Sequence, residues 1–326
     1  MTGIAAAAVT GASGFLGRAL MERLPAGEGV RALFRRDDER SRSWVARGGA
    51  VVLGSLADAP ALDALVRNVD TVYHCAATMA KGDARVSSQV NVEGTERIAR
   101  AAAEAGVGRF VYVSSISVFS ATRRPDGRIT EAIEPERVDR LNPYSRTKLE
   151  GEHRVRAIAD DAGLPYTIIR PTNIYGPASG PWFHQFERLL RRVPLAIGDF
   201  EIDIVYVDDV AEALIGAAQS PAAANRVFHV GHEMVKLNRF MGEVARVMGR
   251  AARPLPPGLD RAACLAIDRL YRAFTGTCMS LSLLGPVAYP HEDARRAFGY
   301  VPAIPMSEGF RRLAAWYRSL HSTGLA

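Results

Sequence analysis

Tyr144 and Lys148 stand four residues apart in Asn142-Pro143-Tyr144-Ser145-Arg146-Thr147-Lys148, a stretch that opens a helix, so one helical face carries both. A phenol ordinarily ionises near pH ~10, and a neighbouring ammonium favours the phenolate and lowers that value. The expectation is a Tyr144 that exchanges a proton with a substrate hydroxyl or carbonyl near neutral pH, as general acid and base. Lys148 also comes within reach of a cofactor ribose. The same spacing describes a plain surface pair on any helix, so a second component matters. Phe110-Val111-Tyr112-Val113-Ser114-Ser115 is an apolar strand ending in two hydroxyls. Ser115 is placed to hydrogen-bond a reacting oxygen and stabilise the charge developing on it, while one of the two serines is expected to make a backbone turn bond.

Thr10-Gly11-Ala12-Ser13-Gly14-Phe15-Leu16-Gly17 follows the first strand and opens the first helix. Glycines there let backbone N–H groups approach a pyrophosphate, and the helix N-terminus adds partial positive charge. The spacing is GxxGxxG, one residue longer than the GxGxxG fingerprint. It predicts dinucleotide binding at Gly11, Ser13, Gly14, Phe15, Leu16 and Gly17. An NAD site normally has a carboxylate at the end of the second strand for the ribose 2′-hydroxyl. Here that strand ends Leu33-Phe34-Arg35-Arg36, and the first acid is Asp37. Guanidinium forks suit a 2′-phosphate, so Arg35 and Arg36 predict NADP in preference to NAD. Surface arginines beyond the strand end are the plainer alternative.

The elements holding these groups alternate. Ile4–Thr10, Val30–Phe34, Ala50–Leu53, Thr71–His74, Arg109–Ser114 and Tyr166–Arg170 read as buried strands, with helical stretches at 15–24, 58–67, 85–105 and 143–162. Nearly continuous apolar strands between helices predict a doubly wound parallel sheet, a Rossmann α/β fold, with its ligand crevice at the carboxyl ends of the strands. Residues 1–170 are expected to form the dinucleotide-binding domain, with 204–230 returning to it. Residues 171–326 are expected to be mainly a smaller α/β substrate-binding portion that ends in an amphipathic helix at 307–320. In 326 residues, 48% are hydrophobic and 23% charged, as in a soluble globular chain. The net charge of +6 is spread in short pairs among acids, which reads as a solvated surface and not as a nucleic-acid face. No apolar run reaches membrane-spanning length, and no signal peptide is read at the N-terminus. Cys75, Cys264 and Cys278 form no CxxC pair, so reduced thiols in a cytoplasmic protein and no metal site are expected.

TGASGFLG at 10–17, HCAA at 74–77, NVEGT at 91–95, VSSISVF at 113–119, NPYSRTK at 142–148, RPTNIYGP at 170–177, YVDDVAEA at 206–213 and RAFGYVP at 296–302 occur in an order that resembles the extended short-chain dehydrogenases/reductases. These include epimerase/dehydratase and 3β-hydroxysteroid dehydrogenase-like members. The resemblance covers almost the whole chain. It implies Ser115, Tyr144 and Lys148 as the catalytic triad and Asn91 as a fourth member, holding a water or a helix distortion near Lys148. It puts Ala76, Ala77 and Val113 beside the cofactor and Pro171, Thr172 and Asn173 beside the nicotinamide. It also implies a possible homodimer through the helices at 85–105 and 143–162.

Two departures bear on ligands. Family members often have Gly-Asp-Leu after the third strand, where the acid meets the adenine amine. Here Gly54-Ser55-Leu56 leaves Ser55, with Leu56, to serve, and Asp58 reads as a helix N-cap before Pro60. Members acting on nucleotide sugars commonly have an arginine shortly before the YVDD-like strand, where it meets the diphosphate. The stretch 198–204 has three carboxylates and no arginine, although Arg188, Arg191 or Arg192 can approach from another helix. Residues 259–289 are rich in large apolar side chains. The expected activity is hydride transfer between nicotinamide and a secondary alcohol or ketone of an apolar or mixed-polarity small molecule, with Met79, Tyr175 and His184 as rim candidates. A nucleotide-sugar epimerase or dehydratase that retains its cofactor is the alternative, and a non-catalytic dinucleotide-binding protein is a third.

Overall fold

The computed structural model describes residues 6–25, 27, 29–79, 83–120, 122, 126–135, 138, 142–178, 181–256, 258–275 and 287–322. The expected strand start at Ile4, the residue Cys278 and the apolar side chains Met279, Leu281, Leu283 and Leu284 lie outside these. The chain alternates β1 (Ala7–Thr10), α1 (Phe15–Arg23), β2 (Val30–Phe34), α2 (Glu39–Ala46), β3 (Ala50–Leu53), α3 (Ala59–Val66) and β4 (Thr71–His74). It continues through α4 (Ala84–Ser88), α5 (Gly94–Glu104), β5 (Arg109–Val113), α6 (Pro143–Ala162) and β6 (Tyr166–Pro171). β7 (Asn173–Tyr175), α7 (Pro181–Arg192), β8 (Leu195–Ala196), β9 (Glu201–Tyr206), α8 (Val207–Gln219) and β10 (Arg226–Val230) follow. β11 (Glu233–Lys236), α9 (Leu237–Val247), β12 (Arg253–Pro254), α10 (Asp260–Thr275), α11 (Glu292–Phe298) and α12 (Met306–Ser322) complete the order.

Seven strands form one parallel sheet in the order β10-β6-β5-β4-β1-β2-β3. Its central strands are nearly continuous apolar runs because helices cover both faces. Ala7, Ala8, Val9, Phe110, Val111 and Tyr112 are all fully buried. Strand order reverses between β1 and β4, and the crevice at that switch point lies at the carboxyl ends of the strands. β10 extends this sheet beside β6, and α8 packs on α1, held by Arg23 bridging to Asp208 at 2.8 Å and to Glu212 at 3.0 Å. Two smaller sheets, β11-β9-β7 and β12-β8, carry the rest. Between them and the terminal helix lies an aromatic core of Tyr175, Tyr206, Phe240 and Phe310, with Tyr175 stacked on Phe310 at 5.4 Å.

The expected single helix over 85–105 is a correction. α4 and α5 are separated by a wide π-turn, Gln89–Glu93, which points Asn91 inward, where it is fully buried. Gly94 just beyond it lets the helix close on Leu56, since a Cβ there would lie 2.8 Å from the Leu56 Cδ1. Among the described residues no helix is long and apolar enough to cross a membrane.

Candidate active site

The glycine turn is built for close backbone approach. Gly11 has φ +73°, and a Cβ on it would sit 2.6 Å from the Ala76 amide nitrogen. A Cβ on Gly17 would sit 2.0 Å from the Gly11 carbonyl oxygen. The turn between β1 and α1 therefore rests directly on the residues that follow β4, which is where Ala76 and Ala77 were expected to meet a cofactor. Gly14 is the N-cap of α1 and gives no side-chain bond, so the first N–H groups of the helix suit an anion. A pyrophosphate fits this cradle. Leu16 points inward and is buried, while Ser13 and Phe15 are half-buried at the mouth.

Beyond β2, Arg35 and Arg36 are both exposed. Asp37 is engaged by the Arg42 guanidinium at 3.1 Å and by the Ser41 hydroxyl, which hold its carboxyl below the usual range. Asp38 caps α2 in a capping box with Ser41. A residue not singled out from the sequence, Arg40, reaches back to donate to the Ser13 carbonyl at 3.2 Å. It helps wall a cleft of about 340 Å³ lined by Ala12, Arg18, Phe34, Trp44 and Arg47, with Glu22 and Glu39 also on its wall. Ser55 uses its hydroxyl to accept the Ala57 N–H at 3.2 Å, and Asp58 caps α3 as expected, accepting from Ala61.

Asn142 caps α6 by accepting the Ser145 N–H at 3.1 Å, and Pro143 sets the first helical turn, which fixes Tyr144 there. Tyr144 shares a side-chain hydrogen bond with Ser115. The Ser115 hydroxyl also accepts the Ser117 N–H at 3.1 Å, the turn bond expected of one of the two serines. One helical turn on, Lys148 is buried and its Nζ donates to the Val113 carbonyl at 2.8 Å. Asn91 accepts the Thr78 N–H at 2.8 Å and donates to the Thr78 carbonyl at 2.9 Å and the Thr147 hydroxyl at 3.0 Å. It thereby clips the chain after β4 to α6.

Electrostatics differ from the spacing argument. Burial pushes the Tyr144 phenol up to about 12, against a smaller pull downward from the Ser115 hydrogen bond. The expected lowering by Lys148 is thus not what governs Tyr144 here. Burial outweighs it, and the ammonium is directed to the Val113 carbonyl. Lys148 itself is brought down to about 8 by burial, opposed by Cys75 and Glu152. At neutral pH the pair is a neutral phenol beside a largely protonated amine.

On the far side, Thr172 is buried and its N–H donates to the Val230 carbonyl at 2.9 Å, while Asn173 donates to the Asp203 carbonyl at 2.8 Å. These bonds hold the segment after Pro171 against β10 and β9. Tyr175 is not a rim residue. It is 1% exposed inside the aromatic core, admitted by Gly309, whose absent Cβ would lie 2.7 Å from the ring. Met79 is exposed, and His184 lies on the surface of α7 paired with Glu187 at 2.9 Å. Glu187 also holds Arg191 at 2.8 Å. In the stretch 198–204, Asp199 is bonded to Lys236 at 2.6 Å, Ile202 is buried, and burial raises the Asp203 carboxyl to about 7. The expected repulsion of a diphosphate there is therefore weaker than three free carboxylates would give. Among the described residues no group of three or more His, Cys, Asp or Glu side chains is gathered to hold a metal ion.

The model of the NAD dependent epimerase/dehydratase family matches residues 7–231. The chain belongs to this family. It is an extended short-chain dehydrogenase/reductase and a nicotinamide-dependent enzyme of that type, as the ordered motifs predicted. A 2-alkyl-3-oxoalkanoate reductase of Stenotrophomonas maltophilia is 30% identical over 94% of this chain and 98% of its own length. A ceramide reductase of Caulobacter vibrioides is 29% identical, covering 96% and 94%. A UDP-glucose 4-epimerase of Vibrio cholerae is 26% identical, covering 94% and 93%. Among solved structures, a Bacillus cereus UDP-glucuronic acid 4-epimerase in complex with UDP-glucuronic acid and NAD is similar with a TM-score of 0.76 at 19% identity, covering 96% of this chain and 99% of that one. At that identity the likeness establishes the Rossmann fold of this epimerase/dehydratase-family member.

Proposed function

We propose that this epimerase/dehydratase-family protein is an NADP-dependent reductase of ketones, or dehydrogenase of the matching secondary alcohols, with an apolar or mixed-polarity substrate. The observation that carries the substrate class is the stretch 198–204, which offers no cation to a diphosphate. Its inward side chain Ile202 is 3% exposed, and its one lysine neighbour, Lys236, is already taken by Asp199. The relatives named for reducing 2-alkyl-3-oxoalkanoates and ceramide agree with this class.

A nicotinamide bound at the crevice supplies or accepts the hydride. Tyr144, a neutral phenol up to about 12, is the acid that gives its proton to the carbonyl oxygen in the reducing direction. Ser115 donates a hydrogen bond to the same oxygen, and Lys148 contributes positive charge beside them. Asn91 holds the wall of the site through Thr78 and Thr147. Gly11, Ser13, Gly14, Phe15, Leu16 and Gly17 take the pyrophosphate. Arg35, Arg36 and Arg40 take the 2′-phosphate, Ser55 and Leu56 the adenine, and Ala76, Ala77 and Val113 the riboses. Pro171, Thr172 and Asn173 flank the nicotinamide. In this reading residues 1–170 and 204–230 bind the dinucleotide and the remainder of 171–326 the substrate. The chain is cytoplasmic and pairs as a homodimer through α5 and α6.

The test is NADPH consumption against a panel of 3-oxo esters, sterol ketones and nucleotide sugars, with turnover expected on the first two. Interconversion of a UDP-sugar with no net NADPH use would overturn it. That second reading, a nucleotide-sugar epimerase or dehydratase with retained cofactor, is favoured by the Vibrio cholerae relative and by the exposed Arg188 and Arg192 on α7.

A further inference from the structure

Glu152 lies one helical turn beyond Lys148 on α6 and is 1% exposed. Its carboxylate accepts three charge-assisted or short hydrogen bonds from two different strands. Arg170, fully buried at the end of β6, donates from Nε at 2.9 Å and from Nη2 at 2.6 Å. Ser114, at the end of β5 and next to Ser115, donates at 2.5 Å. Helix and sheet come this close because residue 151 is glycine. A Cβ there would lie 2.3 Å from the Tyr112 hydroxyl oxygen. Arg170 is further fixed by Glu134 at 3.6 Å and by the Phe119 ring at 5.0 Å, and Glu134 is shared with Arg156 at 3.1 Å.

A buried ion pair is weak evidence of stability, because an apolar pair of similar volume often stabilises as well or better. What such a pair does supply is fixed geometry and a fixed charge. This one connects the helix carrying Tyr144 and Lys148, the strand end carrying Ser115, and the strand end that leads into Pro171–Asn173. We propose that Glu152 is a positioning residue of the site, locking both strand ends onto α6 and supplying the negative charge that keeps Lys148 an ammonium. The proposal rests on the reading of Ser115, Tyr144 and Lys148 as the reacting set. The groups facing Lys148 are Cys75 and His74 from the β4 side, Tyr112 from β5 with its ring 5.0 Å from Nζ, and Glu152 one turn along its own helix, whose carboxylate is paired with the Arg170 guanidinium of β6 at 2.6 Å, so that removing the carboxylate also leaves that cation without its buried counter-charge. Burial pushes the Cys75 thiol up to about 12 and holds His74 down to about 3, so neither carries charge at neutral pH. That leaves Glu152 as the anion in this set.

The chain contains three lysines, Lys81, Lys148 and Lys236, so the Cε signals of 13C-lysine-labelled full-length protein are readily assigned with K148M and K236R. Lys148 is expected to titrate near 8 in the unmutated protein. Glu152→Gln keeps the acceptor shape and removes the charge, and should move that titration down by about one pH unit. An unmoved titration would overturn the proposal. Ser114→Ala cuts one strap and keeps the charge. It should leave the titration in place while lowering kcat about tenfold on NADPH with ethyl 3-oxohexanoate, at unchanged KM for NADPH. If Glu152→Gln does not fold, Glu152→Asp takes its place, with charge retained and reach shortened. Wild-type kcat in both Glu152→Asp and Ser114→Ala would overturn the positioning role. Tyr144→Phe in the same assay separates the layers. Full turnover there removes the underlying functional reading, whereas lost turnover with an unmoved Glu152→Gln titration removes the role of Glu152 alone.

Discussion

Replacing Arg40 with glutamine is expected to weaken NADPH binding about tenfold and leave NADH binding unchanged. The two cofactors differ by a phosphate carrying nearly two negative charges, so the discrimination resides in the cations that meet it. A hydrogen bond to a charged group contributes about 1.5–3 kcal/mol. Arg35 and Arg36 are exposed, so solvent and salt reduce their share toward the lower end. Arg40 is also exposed, but its guanidinium is held against the phosphate turn by the 3.2 Å bond to the Ser13 carbonyl. Less side-chain entropy is then lost on binding, and its contribution should stand near 1.5 kcal/mol, which is about tenfold in Kd. Arg35→Ala with Arg36→Ala should lower the NADPH preference by a similar factor. Calorimetry with NADPH and NADH at low and at ~0.15 M salt measures this, and the preference should shrink as salt rises. Equal affinities for the two cofactors in the unmutated protein would refute the reasoning, as would a preference that survives all three substitutions.

Tyr144→Phe should lower kcat at least about a hundredfold while cofactor affinity stays within twofold, since only the phenolic hydroxyl is removed; single-turnover kinetics with a panel of 3-oxo esters checks it. Gly11→Ala should lower affinity for either dinucleotide more than about tenfold, because φ is +73° and the new Cβ would press on the Ala76 amide; fluorescence titration of NADPH reads it, and wild-type affinity would show that the turn is not the cradle. Asp203→Asn should stabilise the protein above pH 7 and not below pH 4. The Asp203 carboxyl is raised by burial from 3.8 to about 7, so the folded chain holds a proton that the unfolded chain releases across that window. Stability accordingly falls as pH rises from about 4 to 7, by on the order of 2–4 kcal/mol, and asparagine removes that loss. Thermal unfolding of both proteins at pH 4 and pH 8 decides it; equal midpoints at pH 8 would refute the burial argument.

The strand bounds at Val30–Phe34, Ala50–Leu53 and Thr71–His74 were legible because short, mostly apolar runs between turn residues mark the strands of a covered parallel sheet, even at its edge, where β3 leaves Leu53 exposed. The cap at Asp58 and the start of α6 at Pro143 were legible because capping is a local bond between a side chain and an amide two or three residues on. The π-turn at Gln89–Glu93 was not legible in the residue pattern, although the family resemblance implied a water or a helix distortion at Asn91. The bonds that accompany it run from Asn91 to Thr78 and Thr147, 13 and 56 residues away. Arg40 was missed for the same reason. In the sequence it is a charged residue in the first turn of a helix, and only the packing of α2 beside the phosphate turn gives it Ser13 as a partner. Tyr175, a rim candidate within the segment 170–177, instead turns its ring into a core opened by Gly309, 134 residues later in the chain.

The phenol of Tyr144 shows where spacing and environment compete. A lysine at i+4 argues for a lowered value, and burial of the phenol argues for a raised one. Desolvation acts on Tyr144 whatever the sign of its neighbours, while the Lys148 ammonium is directed at the Val113 carbonyl 2.8 Å away. Burial wins, so the site holds a proton ready to give and not a base waiting to take one. By microscopic reversibility the same phenol serves reduction and oxidation alike, giving the proton in one direction and taking it back in the other. Its neutrality bears on the proposed role of Glu152 beside Lys148. In the proposed mechanism the Lys148 ammonium stands one helical turn from the neutral Tyr144 phenol, and whatever keeps it protonated keeps positive charge beside the alkoxide that would develop there.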